Sequence, residues 1–331
     1  NRIQNNNFLL DGVNNNTTDN NQAPILPSPD AIAEFKVQSN LLPAEFGRAL
    51  GGTININIKS ATNQFHGALF EFIRNDKLDA NNFFNVGRAR PSFQQNQFGG
   101  AVGGPILLPG LYNGRNRSFF FANYQGTRIR RGLTRLFTVP SAELRAGDFS
   151  GLATIFDPET TRRDPSGANV RDPFPGNRIP SERFDPIMRR YLDLYPLPNR
   201  PGNANNYILN PKYTDDNDQG DFKIDHNFSS TDTVMFRFSR GDRTFITPLN
   251  VPGVGYNGYF AANEYLPPVI NNRGAAFSYI HTFSSRVMNE FRSGYNRLYA
   301  TVTPRSEGKN LATEFGIRGV PDDPQSNGLT V

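Results

Sequence analysis

The chain contains no cysteine and no tryptophan, and only three methionines and three histidines among its 331 residues. Without cysteine there is no disulfide framework, no thiolate metal site and no cysteine nucleophile. No stretch approaches the roughly 18–20 apolar residues of a membrane-spanning helix. The most apolar candidate, residues 98–111, is interrupted by glycines and prolines. These absences exclude disulfide scaffolds and helical membrane proteins as classes.

Aromatic residues supply much of the apolar content. There are 28 Phe and 12 Tyr, although only 37% of the chain is hydrophobic and the mean hydropathy is −0.55. Disordered chains are polar but poor in aromatics. Together with 30 Gly and 25 Pro, this composition predicts β-strands separated by long turns.

Charge is nearly balanced, with 35 Lys and Arg against 30 Asp and Glu. The densest basic run comprises Arg128, Arg130, Arg131 and Arg135. It is typical of a solvated loop, and a contact with anionic lipid or polysaccharide is the alternative. No basic-aromatic module follows it, so we expect no nucleic-acid partner.

Seven segments alternate apolar with polar side chains, which predicts amphipathic strands of about ten residues. They cover residues 66–74, 96–104, 118–128, 220–228, 234–242, 274–283 and 287–299. The first places Ala68, Phe70 and Phe72 opposite Glu71. The clearest sets Phe222 and its aromatic neighbours against polar residues that include Asp221, Lys223 and Asp225.

The connections between these segments alternate between long and short. Residues 129–219 and 243–273 form the longest ones, which we expect to be loops without regular structure. Short turns that alternate with long loops are typical of a transmembrane β-barrel with periplasmic turns and extracellular loops. The polar faces then line a hydrated lumen, with Asp221, Lys223 and Asp225 on one strand and Arg237 on the next. Lys or Arg facing lipid at mid-depth would cost roughly 2–4 kcal/mol. A soluble β-sandwich is the alternative fold.

Residues 1–65 have a different character and predict a small mixed α/β unit. "FLLDGV" ends in an Asp-Gly turn, "AIAEFKVQS" alternates as a strand, and "AEFGRALGG" is a short helix-like piece. In "TININIKS", Ile54, Ile56 and Ile58 alternate with Asn55, Asn57 and Lys59.

The segments 8–13, 31–39 and 44–67 resemble the end of the plug domain of TonB-dependent outer-membrane receptors. "HGALFEFIRND", "NQFGGAVGGPI", "RSFFFANYQGTR" and "FKIDHNFSSTDTVMFRFS" resemble the first barrel strands of the Oar-like branch of that family. The resemblance implies an all-β-dominated chain. It would hold the C-terminal part of an α/β plug, residues 1–65, followed by about seven strands of an antiparallel barrel, residues 66–331. Since bacterial barrels have even strand numbers, we expect the chain to be part of a longer barrel.

The resemblance also implies a set of structural residues at the plug-to-barrel junction: Asp11, Gly12, Gly47, Gly51, Gly52, Ile54, Asn55, Ile56 and Lys59. The isoleucines would pack inside the plug, while Asn55, Asn57 and Lys59 would meet the inner wall of the barrel. Implied partners are outer-membrane lipid, an extracellular ligand, and the TonB complex, which would bind through a segment missing from this chain.

Catalytic and metal-binding patterns do not emerge from the residues. His66, His226 and His281 are far apart in the sequence, and each falls in a strand pattern. We expect them at positions in the aromatic belt or the lumen of the barrel, and metal ligation is the alternative. "TDDNDQGD" (214–221) superficially resembles a Ca²⁺ loop, but the glycine offset is wrong for an EF-hand and Asn227 replaces the bidentate Glu. Ser141 and Ser150 lie in no nucleophile-elbow context. We therefore expect no enzyme, no cofactor and no metal site.

Two functions stay open at this point, together with a third, weaker one. The first is an energy-coupled importer in the outer membrane of a Gram-negative-type bacterium. The second is an Oar-like structural or adhesion protein whose long loops contact partners. The third is a soluble, secreted β-rich protein. The residues do not identify a ligand.

Overall fold

A computed structural model describes residues 5–18, 21–39, 51–80, 90–246, 269–301 and 311–319. The chain divides into two compact units. The first comprises Asn1–Arg131, Thr214–Phe245 and Pro268–Val302, and the second comprises Gly132–Tyr213, Ile246–Pro267 and Thr303–Val331. The first unit contains a four-stranded sheet, here called the small sheet, and a seven-stranded sheet, called the large sheet.

The small sheet has the strand order β2-β1-β4-β3. Strands β1 and β4 are parallel, whereas the pairs β1–β2 and β3–β4 are antiparallel. Asp11 and Gly12 both have positive φ, 48° and 71°, as a two-residue turn of type I′ requires. A 3-10 turn, Pro29–Ala31, precedes β3. The strands are β1 (Asn7–Leu10), β2 (Val13–Asn14), β3 (Ile32–Gln38) and β4 (Thr53–Ile58).

The isoleucine alternation forms β4, as predicted. Ile56 and Ile58 are buried in one apolar cluster with Leu10, Ile25, Ala31 and Phe121, the last of which belongs to the large sheet. The predicted helix-like piece at 44–50 lies outside the described residues.

The large sheet is an antiparallel meander in which each long strand neighbours the next one along the chain. It consists of β5 (His66–Asn75), β6 (Phe93–Pro105), β9 (Ser118–Gly132), β14 (Lys212–Asn227), β15 (Asp232–Ile246), β16 (Val269–Ser284) and β17 (Val287–Thr301). The short pair β7 (Leu107–Leu108) and β8 (Tyr112–Asn113) lies between β6 and β9. Seven strands and alternating long and short connections confirm the prediction. The predicted length of about ten residues holds only for β5, since the other six strands have 13 to 16 residues.

The two faces of the large sheet differ as expected for most strands. The inner face buries polar side chains: Asn123, Gln125, Asp221, Lys223, Arg237, Ser239 and Ser278. The outer face exposes aromatic ones: Tyr124, Phe222, Phe236, Phe238, Phe277, Phe291 and Tyr295. This distribution is the reverse of a soluble protein and is the one that lipid outside and a hydrated lumen inside require.

Strand β5 is the exception to the predicted facing. Ala68 is opposite Ala101, which packs against the buried apolar cluster, so Phe70 on the same face also points inward. Leu69 is 92% exposed on the outer face, and it shares that face with Glu71. The prediction that Glu71 faces the lumen is therefore wrong. A Cβ on Gly99 would contact the ring of Phe70, so glycine provides the room for this inward ring.

The second unit gives the connection between β9 and β14 a regular structure, which corrects the expectation of a structureless loop at 129–219. Its strands pair as β10 (Arg135–Phe137) with β13 (Tyr207–Leu209) and β11 (Arg162–Arg163) with β12 (Asn169–Val170). Its helices are α1 (Ala142–Arg145), α2 (Pro186–Leu192) and α3 (Leu311–Phe315), with 3-10 turns at Pro158–Thr160, Pro175–Asn177 and Ser181–Arg183. None of the helices in the described ranges is long and apolar enough to cross a membrane. Most of the connection predicted at 243–273 lies outside the described residues.

A bidentate ion pair holds part of this unit together. Arg183 donates to both carboxylate oxygens of Asp157, at 3.0 and 2.9 Å. The hydrogen bond from Arg183, together with the backbone N–H of Glu159, lowers the pKa of Asp157 below its ordinary value. A carboxylate with a depressed pKa stabilises the folded state above its unfolded pKa and loses that contribution as the pH falls through the folded value.

We accordingly expect residues 150–185 to open locally below about pH 4, the ordinary pKa of Asp. Amide hydrogen exchange between pH 3 and 6, corrected for intrinsic rates, measures this opening in the full-length protein. In Asp157→Asn the pair is absent at every pH, so exchange should already be fast at pH 6 and lose most of its pH dependence. An unchanged protection profile in the variant would show that the pair is not what orders this segment.

Candidate functional site between the small sheet and the inner face of the large sheet

The turn between β1 and β2 places a carboxylate in the interior of the first unit. The side chain of Asp11 is only 5% exposed. Its Oδ1 accepts the backbone N–H of Ile58 at 3.0 Å, which ties the turn to the end of β4. The next residue, Gly12, donates its N–H to Oδ1 of Asn55 at 3.3 Å. Both contacts lie within the small sheet and fix the direction in which the carboxylate points.

Two cations of the large sheet reach this carboxylate. Nζ of Lys223 lies 3.4 Å from Oδ1 of Asp11 and donates to the carbonyl oxygen of Ile58 at 2.9 Å. Nε of Arg237 lies 2.8 Å from Oδ2 of Asp11, an ion-pair distance without the alignment of a good hydrogen bond. The Arg237 side chain is 1% exposed. Two adjacent barrel-type strands, β14 and β15, thus hold one turn of the small sheet.

A second carboxylate completes the group, here called the buried ionic cluster: Asp11, Asn123, Asp221, Lys223, Arg237 and Ser239. Asn123 donates to Oδ2 of Asp221 at 3.0 Å. Ser239 lies between the two charged groups, since it donates to Asp221 and accepts from Arg237.

The cluster contains two carboxylates and two cations, so its formal charge is zero. Removing one partner of a buried pair leaves an uncompensated charge and typically costs about 3–5 kcal/mol. Replacing a whole buried pair by apolar residues is often neutral. The arrangement therefore specifies how the small sheet sits on the inner face more than it adds stability. Chemically it can hold and release that sheet, and it places no histidine beside Ser239.

The predicted junction residues fall mostly around this cluster. Asp11 belongs to it, and Gly12 and Asn55 support its turn. Ile54 and Ile56 pack in or against the apolar cluster beneath it. Gly47 lies outside the described residues.

Gly51 and Gly52 lie at the start of β4, away from the charges. A Cβ on Gly52 would come 2.9 Å from the carbonyl oxygen of Gln38, and one on Gly51 would meet Asn5 and Asn6. Close backbone approach explains this glycine pair. Their role at a plug-to-barrel junction stays a prediction.

The polar face of β4 does not make the contact that we expected. Asn57 donates to Glu34 within the small sheet at 3.4 Å, and Lys59 is exposed. Contact with the large sheet comes instead from the isoleucine face, through Phe121. The small sheet therefore packs on the large sheet through apolar side chains, and not through its polar face as predicted.

Sequence reasoning placed Asp221, Lys223 and Arg237 on a lumen face but assigned them no role. Their signal was the recurrence of charge at alternate positions of two successive aromatic strands. Their pairing with Asp11 could not be read, because the partners lie more than 200 positions apart.

The other residues that the sequence suggested as metal ligands form ion pairs with neighbouring side chains. Asp216 and Asp218 of the Ca²⁺-like run pair with Arg130 and Arg128 at 2.6 and 2.8 Å. His281 lies 2.7 Å from Asp232. Within the described ranges, no group of three potential metal-ligating side chains converges.

His226 lies 2.5 Å from the hydroxyl of Ser118. Its ring packs edge-on against Phe228, and that of His281 packs edge-on against Phe283. Packing of each histidine against an aromatic ring is typical of the aromatic belt of a barrel, one of the two positions that the sequence suggested for these histidines.

A meander of long strands with an aromatic outer face and a charged inner face defines the wall of an outer-membrane β-barrel protein. The family model described as "Outer membrane beta barrel domain" matches residues 57–331, more than four fifths of the chain. The chain belongs to this family, and its location is the outer membrane. The soluble secreted alternative is wrong.

Similarity to individual proteins points the same way. Over 138 residues the chain is 30% identical to the TonB-dependent transporter Oar of Myxococcus xanthus, a match that covers 39% of this chain and 13% of that protein. This match confirms the resemblance to TonB-dependent receptors of the Oar-like branch.

Solved structures of transporters resemble the chain at low identity. The outer membrane transporter YddB from Escherichia coli has a TM-score of 0.49 at 12% identity, covering 89% of this chain and 31% of its own. The siderophore receptor PirA from Acinetobacter baumannii has a TM-score of 0.48 at 12% identity, covering 90% and 32%. The chain thus spans about a third or less of the proteins that it matches.

Proposed function

We propose that this chain belongs to an energy-coupled outer-membrane importer, in which residues 1–65 end the plug and residues 66–331 begin the barrel. The observation that carries the proposal is the buried ionic cluster. It joins the Asp11 turn of the small sheet to Lys223 and Arg237 on the inner face of the large sheet. In a plugged barrel, such a contact holds the plug in the lumen between transport events.

A contact made of ion pairs suits a plug that must move and return. Its charged partners can exchange one another for water, and it re-forms in one geometry because hydrogen bonds between charged groups are directional. The inner-membrane TonB complex would supply the energy. The relative's name, TonB-dependent transporter, supports this assignment. No catalytic role is proposed for any residue of the cluster.

The ligand class stays open. Two of the similar solved structures are siderophore receptors by name, which makes metal chelates the first compounds to assay. We assign none of the described side chains to the binding of such a ligand.

A structural or adhesion role is the second candidate, and one observation favours it. The second unit has regular secondary structure and its own buried contacts, unlike a flexible loop. Asn206 is fully buried and exchanges two hydrogen bonds of 2.8 Å with the backbone of Val139. A pre-ordered surface of this kind binds a partner with less loss of conformational entropy.

Cysteine labelling in living cells separates the two candidates. Ile58 is 2% exposed beneath the cluster, so Ile58→Cys in the full-length protein should react slowly with a maleimide when cells are de-energised. If the small sheet is released during transport, labelling should rise severalfold in energised cells. The rise should disappear on adding a protonophore or deleting the TonB complex.

Val139→Cys is the matched control, because Val139 is equally buried but lies in the second unit. Its labelling should not respond to energisation. A low, energy-independent rate at position 58 as well would remove the importer proposal and leave the adhesion role.

A further inference from the structure

Three arginines lie side by side on the outer face of the large sheet. Arg240 of β15 is directly opposite Arg273 of β16, and Arg273 is directly opposite Arg297 of β17. We refer to these three residues as the arginine row. Like charges directly opposite one another destabilise a sheet, so three in register over three neighbouring strands need an explanation.

The neighbours of the arginines settle which face they occupy. Ser239 is buried in the ionic cluster, so Arg240 points outward. Asn272 donates to the carbonyl oxygen of Pro24 in the first unit's interior, which places Arg273 on the outside. Asn296 likewise bonds the backbone of Asn14, so Arg297 faces outward too.

Among the described residues, one carboxylate neutralises the row only in part. Asp242 lies 2.5 Å from Arg240 and 2.9 Å from Arg273. Arg297 lies over the ring of Tyr299, 5.7 Å from its centroid. Three cations and one carboxylate leave a formal charge of +2. On β9 and β14, by contrast, Arg128 and Arg130 meet Asp216 and Asp218 two for two.

The height of the row matches the membrane surface. It lies eight residues from the short turn before β15, measured from Asp232 to Arg240 along that strand. Eight residues of strand extend about 26 Å, which at a tilt of 35–45° rises about 20 Å, close to the apolar band of about 25 Å in such barrels. Between the two levels the outer face carries Phe236, Phe238 and Phe277. The row therefore lies near the upper edge of the apolar band.

We propose that the arginine row binds the phosphate groups of a lipid in the outer leaflet. Guanidinium groups donate paired N–H bonds to phosphate oxygens, and a lipid held at this height presents its phosphate to the row while its chains lie along the aromatic residues below. The bound phosphate supplies the negative charge that the three opposed arginines lack. This inference concerns the outer wall and is independent of whether the protein transports a ligand.

The test uses full-length protein in neutral detergent and a doubly phosphorylated acyl-disaccharide lipid as the probe. The triple substitution R240Q/R273Q/R297Q should weaken lipid binding at least about tenfold, given the electrostatic contribution of each basic residue near a lipid surface. A lipid of the same acyl composition with its phosphates removed should bind wild-type protein as weakly as the intact lipid binds the triple variant. The control R162Q/R171Q/R200Q removes the same charge from exposed positions of the second unit and should bind like wild type.

Three results would overturn the proposal. They are equal binding by the triple variant and wild type, equal binding of the dephosphorylated lipid, or complete displacement of the lipid by millimolar inorganic phosphate, which would indicate a site for free anions. If the triple variant fails to assemble, Arg240→Gln alone is informative because its side chain is 62% exposed. That variant should lose affinity measurably, and Arg240→Lys should retain most of it.

Discussion

Replacing Asp11 by Asn is expected to destabilise the seating of the small sheet by about 3–5 kcal/mol, the usual effect of breaking a buried ion pair from one side. Asn tolerates the positive φ of this position and keeps an oxygen for the N–H of Ile58. The substitution therefore removes the charge and little else. Lys223 and Arg237 then lose the carboxylate that they share, while Arg237 keeps its link to Asp221 through Ser239.

The measurement is a urea titration of the full-length protein in detergent, with protection of the small sheet followed by amide exchange. Asp172→Asn is the control, since it breaks an ion pair that is more than half exposed and should change stability by only about 0.2–1 kcal/mol. Combining Asp11→Asn with Lys223→Met rebalances the charge and should recover part of the loss. An Asp11→Asn protein as stable as the control would show that the cluster does not hold the small sheet.

Phe236→Arg is expected to block membrane assembly, because it places a cation on the lipid-facing side at mid-depth, where the cost is roughly 2–4 kcal/mol. Phe236 is directly opposite Phe277, so the guanidinium would also break this cross-strand aromatic pair. Phe236→Leu keeps the site apolar and should assemble normally. Heat-modifiable migration of the outer-membrane fraction on gels measures the assembled proportion for both.

The adjacent substitution, Arg237→Phe, should fail in a different way. Its side chain faces the interior, so the barrel wall should still insert and migrate as a folded barrel. Asp11 would then lose its closest cation, and the small sheet should become sensitive to protease. Equal assembly of Phe236→Arg and Phe236→Leu would mean that the outer face of β15 has been misassigned.

The wall of this protein was predictable because one physical rule applies to six of its seven long strands. Lipid outside and water inside force period-two alternation, and Phe222, Lys223 and Ile224 show it within three residues. The seven strands and their alternating connections follow from that pattern. Strand β5 escaped the rule because glycines on β6 let Phe70 turn inward, a pairing effect that no single strand reveals.

The candidate site was only half predictable. Asp11 and Gly12 stood out because an Asp-Gly turn after an apolar run has a local conformational meaning. Lys223 and Arg237 are ordinary lumen residues until the fold brings the Asp11 turn against them. The order within residues 132–213 was hidden for a similar reason, since ion pairs such as Asp157–Arg183 leave no periodic trace.

The pairing of β1 with β4 bears on the order in which the chain folds. Hairpins such as β16–β17 close through two residues, whereas Asn7 must find Thr53 across a much longer loop with a larger entropy of closure. Contacts of high sequence separation form late. Nascent hairpins of the wall should thus precede the small sheet, and Lys223 and Arg237 should stay hydrated until the Asp11 turn arrives. Charge neutralisation would then be a late, cooperative step that reports completion of the native state.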